Sequence, residues 1–110
     1  MRKTQFIQGA LASVVIAGFA AITPALAADP IKVGVVTPLS GTYASLGQQV
    51  RWGIELATKE INASGGIMGR QIQLLFEDEE ANPAVAAPKA EKLFQVEKVD
   101  FLTGTVNSAS

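Results

Sequence analysis

The chain has 110 residues, 48% of them apolar and 17% charged, with nine Lys and Arg against ten Asp and Glu. That allows one domain of ordinary size, is too apolar for a disordered tail, and lacks the basic surplus that binding to nucleic-acid phosphates requires. There is no cysteine and no histidine, so disulfides, thiolate or imidazole metal sites, cysteine nucleophiles, a thioether-linked lipid anchor and imidazole acid–base catalysis are all excluded.

Arg2 and Lys3 give a positive start, and Ala10 to Ile22 then run thirteen positions without a charge. Pro24 breaks the run, and Ala25-Leu26-Ala27 offers small residues where a signal peptidase reads them. Residues 1–27 are therefore expected to be a secretory signal peptide, cleaved after Ala27. Thirteen apolar residues fall short of the ~20 needed to span hydrocarbon. Residues 28–110 then remain, 83 in all, with seven basic and ten acidic side chains. The product is expected to be exported, soluble and mildly acidic.

Ile31, Val33 and Val35 alternate along Ile31 to Val36, a β-branched run ended by Thr37-Pro38, and predict a first strand. After the loop Leu39 to Tyr43, the residues Leu46, Val50, Ile54, Ala57 and Ile61 recur at helical spacing. Glu55 and Lys59 are placed for an i,i+4 pair on the opposite face. Asn62-Ala63-Ser64-Gly65-Gly66 ends this helix, with Gly65 suited to the left-handed turn and Ile67 to folding back on the last turn. Gln71 to Asp78 predicts a second strand, running into Glu77-Asp78-Glu79-Glu80 as a solvated strand end. Asn82-Pro83 has the form of an N-cap followed by proline at the first helical position. Pro88 lies five residues further on, so either the first turn is irregular or the regular helix begins near Pro88. Val99 to Gly104 predicts a third strand.

The order β-α-β-α-β, with strands apolar on both faces, implies an α/β fold with a parallel sheet covered by helices, the start of a doubly wound sheet. Right-handed crossovers favour placing the first strand between the second and third. The crevice between the carboxyl ends of strands one and three is then the topological switch point, where ligands bind. Two loops flank it, Leu39 to Gly47 and Thr105 to Ser110.

In the second loop, Asn107 and Ser108 are good N-cap types, and a helix is expected to begin there. The free N–H groups of a helix start suit a carboxylate, and a serine hydroxyl adds a donor. Either Ser108 and its neighbouring amides hold the anionic or carbonyl end of a ligand, or Ser108 only caps the next helix; the residues alone leave both open. Tyr43 lies in the crevice loop and could stack on a ligand. Trp52 lies off the main helix stripe, packing or partly exposed. Gly41 and Gly47 do not form a dinucleotide fingerprint, no phosphate-loop motif occurs, and the acidic run lacks the ligand spacing and central glycine of a calcium loop. No cofactor or metal is expected. Paired carboxylates without a nucleophile or oxyanion hole make an exported hydrolase a poor reading.

Four ordered stretches carry a family resemblance. Ile31-Lys32-Val33-Gly34-Val35-Val36-Thr37-Pro38-Leu39-Ser40-Gly41, with Gly47 beyond, resembles the opening strand and loop of periplasmic branched-chain amino-acid-binding proteins. Ile61-Asn62-Ala63-Ser64-Gly65-Gly66-Ile67-Met68-Gly69-Arg70 is similar to their INAxGGIxGR turn. Asp78 with Pro83, and then Val99 to Gly104 followed by Ser108, continue the likeness in order.

The resemblance implies a type I solute-binding fold, in which two α/β lobes close on a ligand and deliver it to an inner-membrane ABC permease. Residues 28–110 would be the N-terminal part of the first lobe, of a protein several times longer that acts as a monomer when complete. In that family the serine after the third strand contacts the ligand carboxylate, which is Ser108 here, with Thr105 and Ala109 beside it. Leu46 would face the pocket where a tyrosine is often found, so the ligand is not fixed as leucine. A ligand-sensing domain of the same fold, acting in signalling, is the alternative reading. A core built on three strands is expected to be thin and to leave an apolar edge exposed at the second or third strand.

Overall fold

The computed structural model describes residues 28–110. The expected signal peptide, residues 1–27, lies outside the described residues. Five elements follow one another: β1 (Ile31–Thr37), α1 (Ala44–Ala63), β2 (Ile72–Asp78), α2 (Pro83–Gln95) and β3 (Phe101–Thr103). The strands form one parallel sheet in the order β2-β1-β3, with β1 central as the crossover rule predicts. Val35 is in register with Phe76 on one side and Thr103 on the other, so these three side chains share a face.

The two faces of β1 serve different helices. Val36 packs with Ala86 and Leu93 of α2 and with Val99, and Leu75, Ala90 and Leu102 close over this cluster. The other face lies under α1, where the Arg51 guanidinium sits 4.7 Å from the centre of the Phe76 ring. Arg51 also pairs with Glu55 at 2.9 Å; this is the i,i+4 ion pair of α1, in place of the predicted Glu55–Lys59 pair.

The buried face of α1 is rotated from the stripe that hydropathy marks. Gly47 is buried, with Val50, Ile54, Thr58 and Ile61 half-buried, whereas Leu46 and Ala57 are exposed. The cause is close approach: a Cβ at Gly47 would stand 1.6 Å from the Pro38 carbonyl oxygen, so the helix meets the β1 end through a residue with no side chain. Trp52 is 62% exposed on the outward side.

Helix α1 ends in a Schellman motif. The Gly66 amide donates to Ile61 O at 2.9 Å and the Gly65 amide to Asn62 O at 3.1 Å, with φ of +100° at Gly65 and +76° at Gly66. Ile67, after the motif, is 45% exposed. It exchanges two backbone bonds with Arg70, at 2.8 and 2.9 Å, across a tight turn at Met68-Gly69 whose φ values are both positive. The Asn62 side chain clamps the next strand by accepting from Ile72 N at 2.8 Å and donating to Ile72 O at 2.9 Å.

Of the two starts the residues leave open for α2, the structure has the first: Pro83 is its first residue and the Asn82 side chain accepts from Ala84 N at 2.9 Å. Pro88 lies inside one continuous helix, so the helix does not begin there. Its missing N–H leaves the carbonyl of Ala84, an exposed residue, to water. β3 is three residues, shorter than the predicted Val99–Gly104. Its Phe101 is half-exposed, in keeping with an open apolar edge. No described helix is long and apolar enough to cross a membrane.

Candidate functional site

Three loops gather at the carboxyl end of the sheet: residues 38–43 after β1, 79–82 after β2 and 104–110 after β3. The second of them ties the other two. Asp78 Oδ1, at the end of β2, accepts from the Leu39 amide at 2.8 Å and from the Glu80 amide at 2.9 Å. Asn107 Nδ2 donates to Ala81 O at 3.4 Å. Burial raises the Asp78 carboxyl, but hydrogen bonds from Ser40 and from the amides of Leu39, Glu80 and Ser40 outweigh it, and the net shift is downward. Asp78 is therefore a fixed negative acceptor that shapes the crevice.

The acidic run is not a uniformly solvated strand end. Glu77 is bridged by Lys92 at 2.7 Å and Lys89 at 3.1 Å. These partners, the Lys92 hydrogen bond foremost, hold its carboxyl below the usual value despite partial burial. Asp78 ties loops, Glu79 is fully buried, and Glu80 alone of the four is exposed. Sequence reasoning missed all three roles. The available signal was the placement of Asp78 at the strand end, where a short carboxylate reaches the amides of a neighbouring loop.

In the third loop, Asn107 closes a turn. Its Oδ1 accepts from the Ala109 amide at 3.1 Å, and its carbonyl accepts from the Ser110 amide at 3.1 Å. These bonds make one turn at Ser108-Ala109, and no helix follows within the described residues. Ser108, Ala109 and Thr105 are exposed, and the amides of Thr105 to Ser108 make no hydrogen bond among the described residues.

On the first loop, Tyr43 immediately precedes α1 and its carbonyl accepts from the amides of Leu46 and Gly47, both at 3.0 Å. Tyr43 and Leu46 are 44% and 45% exposed. Leu46 therefore has both a core-stripe spacing and a position off the core, the second being the one the structure shows. All five candidate residues lie at this end of the molecule. Among the described residues no hydrogen bond joins Tyr43 or Leu46 to Thr105, Ser108 or Ala109; the Leu39 amide and the Asn107 side chain each bond to the end of β2 or the turn after it. Thr105 also borders an open groove of about 440 Å³ between α2 and β3, walled by Val36, Ala86, Ala90 and Leu102. The other four candidates do not line it.

The chain is similar to known proteins in sequence and fold. Residues 30–110 match the periplasmic binding protein family. A Leu/Ile/Val-binding protein homologue of Brucella abortus is 42% identical over 78 residues, which are 71% of this chain and 21% of that protein. Among solved structures, a branched-chain amino-acid transporter substrate-binding protein of Streptococcus pneumoniae, in complex with isoleucine, superimposes with a TM-score of 0.66 at 37% identity, over 68% of this chain and 22% of that one. A solute-binding protein of an ABC transporter from R. palustris, in complex with benzoate, gives 0.65 at 42% identity, over 72% of this chain and 21% of that one. The chain thus spans about a fifth of the length of these relatives. On sequence and on fold alike, it belongs to the periplasmic binding protein family, with the α/β architecture of the type I solute-binding proteins.

Proposed function

We propose that this chain forms the first-lobe half of a ligand site in the periplasmic substrate-binding component of an ABC transporter. The ligand is an amino acid of the branched-chain type, or a related small carboxylate or amide, held between two lobes and passed to an inner-membrane permease. Binding without turnover is the activity. Residues 1–27 serve as the export signal, and residues 28–110 as the N-terminal part of the first lobe.

One observation carries this reading. At the topological switch point, the turn after β3 presents the amides of Thr105 to Ser108 and the Ser108 hydroxyl without internal acceptors. Such a set of donors receives a carboxylate. Isoleucine and benzoate, bound by the two similar structures, differ in everything except a carboxylate on an apolar body. In this reading the Ser108 hydroxyl and the free amides of the turn hold the carboxylate, Thr105 and Ala109 stand beside them, and Tyr43 and Leu46 face the apolar part from the opposite loop.

The test is calorimetric titration of the protein, as its source cell makes it, with L-leucine, L-isoleucine and benzoate. At least one is expected to bind, and Ser108→Ala is expected to weaken it by ~1.5–3 kcal/mol, the range for a charge-assisted hydrogen bond. Unchanged affinity in Ser108→Ala would remove the carboxylate role from this residue. Failure of all three ligands would overturn the ligand class.

A further inference from the structure

Met68 stands at the tip of the turn after α1, 96% exposed, with a φ of +51°. Both properties work against the fold. A methionine stabilises a protein by burying its thioether chain, and a side chain with a Cβ enters the left-handed region at a cost. The turn is held by the two backbone bonds between Ile67 and Arg70, at 2.8 and 2.9 Å, which need nothing from the side chain of residue 68. Arg70 ties the turn to the chain just before β1, its Nε donating to Asp29 O at 2.9 Å. The methionine side chain is idle in the packing of residues 28–110, and what it still brings is its sulfur.

That sulfur has no competitor in the same segment. The sequence has no cysteine, and its two methionines are Met1, in the expected leader, and Met68. All the oxidisable sulfur of residues 28–110 is displayed at one exposed point. The turn lies at the amino end of β2, whereas the crevice loops lie at the carboxyl end of the sheet. About 20 Å of strand separates the two.

We propose that Met68 is a reversible oxidation site for two-electron, oxygen-donating oxidants of the peroxide class. The thioether sulfur gives a lone pair to one oxygen of hydrogen peroxide, the O–O bond breaks and the S–O bond of a sulfoxide forms. The second oxygen leaves as water with both protons; sulfur is oxidised by two electrons and the peroxide is reduced by two. A sulfoxide is polar and disrupts a core, but a side chain already in water has no packing to lose. The exposed turn also admits a methionine sulfoxide reductase, which removes the oxygen as water while two thiols close to a disulfide. Met68 takes up oxidant and is restored, with the sheet and the crevice undisturbed.

The test treats the protein, as its source cell makes it, with hydrogen peroxide and follows residues 60–70, the tryptic fragment that ends at Arg70, by mass spectrometry. The fragment is expected to gain one oxygen atom at a rate within about twofold of N-acetylmethionine amide in the same solution, since susceptibility follows exposure. The melting temperature is expected to move by less than about 1 °C, and amide exchange at residues 104–110 to stay as it was. Methionine sulfoxide reductase with a dithiol is expected to return the fragment to its first mass. Met68→Leu, which keeps an apolar side chain and removes the sulfur, is expected to leave the fragment's mass unchanged by peroxide; a gain of oxygen there would overturn the assignment to Met68. A rate about tenfold or more below that of the free amide would show that the side chain is covered in the whole protein, and the proposal fails. A lower melting temperature or faster exchange after oxidation would give the thioether a packing role and overturn the proposal, as would a sulfoxide that the reductase does not reduce.

Discussion

Asp78 and Leu39 lie 39 residues apart, and the carboxylate of the first accepts the amide of the second at 2.8 Å. The bond crosses from the end of β2 to the first loop of the crevice, and the same oxygen also holds Glu80. A single side chain therefore sets the spacing between two of the three loops from which the candidate site is built. Asp78→Ala leaves both amides without their acceptor, and a loss of about 1.5–3 kcal/mol of stability is expected. Urea denaturation of the two proteins measures it; a loss below about 0.5 kcal/mol would show that water replaces the carboxylate at no cost.

Acid stability depends on the same end of β2. The folded-state values of Glu77 and Asp78 lie below their ordinary values of 4.5 and 3.8. A depressed carboxylate contributes stability that is complete above its ordinary value and is lost as pH falls through the folded value. The contribution of this pair is expected to decline from about pH 4.5 downward, Glu77 first. Lys92, raised above 10.5 by its hydrogen bond to Glu77, has the opposite sign: its contribution is present below that value and fades as pH rises through the raised one. Denaturation midpoints across the acid range check this. Glu77→Gln should flatten the limb that begins near pH 4.5, and an unaltered slope would assign that limb to other groups.

Gly47 is the contact through which α1 reaches the end of β1. A methyl group there would lie 1.6 Å from the Pro38 carbonyl oxygen, which is backbone and has no rotamer to adopt. Gly47→Ala ordinarily favours a helix by ~1 kcal/mol. Here the helix must move off the sheet, and a net loss of about 3 kcal/mol is expected, at the upper end of overpacking costs. Thermal unfolding of the variant is the measurement. A stabilised variant would mean that α1 and Pro38 are farther apart than described.

Met68 is 96% exposed at the tip of the turn after α1, with φ of +51°. Asparagine adopts that conformation far more readily than methionine and is favoured in this turn type. Because the side chain touches nothing that packs, Met68→Asn is expected to raise stability by about 0.5–1 kcal/mol, with ligand affinity unaltered. A calorimetric melt decides it, and a lower midpoint would point to a role for the methionine side chain itself.

Element order, strand order, the stop of α1 and the Asn82 cap before α2 are legible along the chain because each depends on near neighbours. β-branched alternation at Ile31–Val36, Asn82 before Pro83, and Gly65-Gly66 after Ser64 act through dihedral preferences and bonds within a few residues. The location of the candidate site is legible for the same reason, since crossover handedness converts element order into a switch point. Tertiary contacts alone decided the rest. Hydropathy chose Leu46 and Ala57 as core positions of α1, but the helix turns toward the sheet through Gly47 and Thr58, because a close backbone approach admits a glycine and not a leucine. The run Glu77 to Glu80 reads as four equivalent charges, yet one is bridged by two lysines, one ties two loops, one is buried and one is exposed. What distinguishes them is the set of partners each meets, brought by residues as distant as Leu39, and a local sequence pattern holds no record of groups so far along the chain.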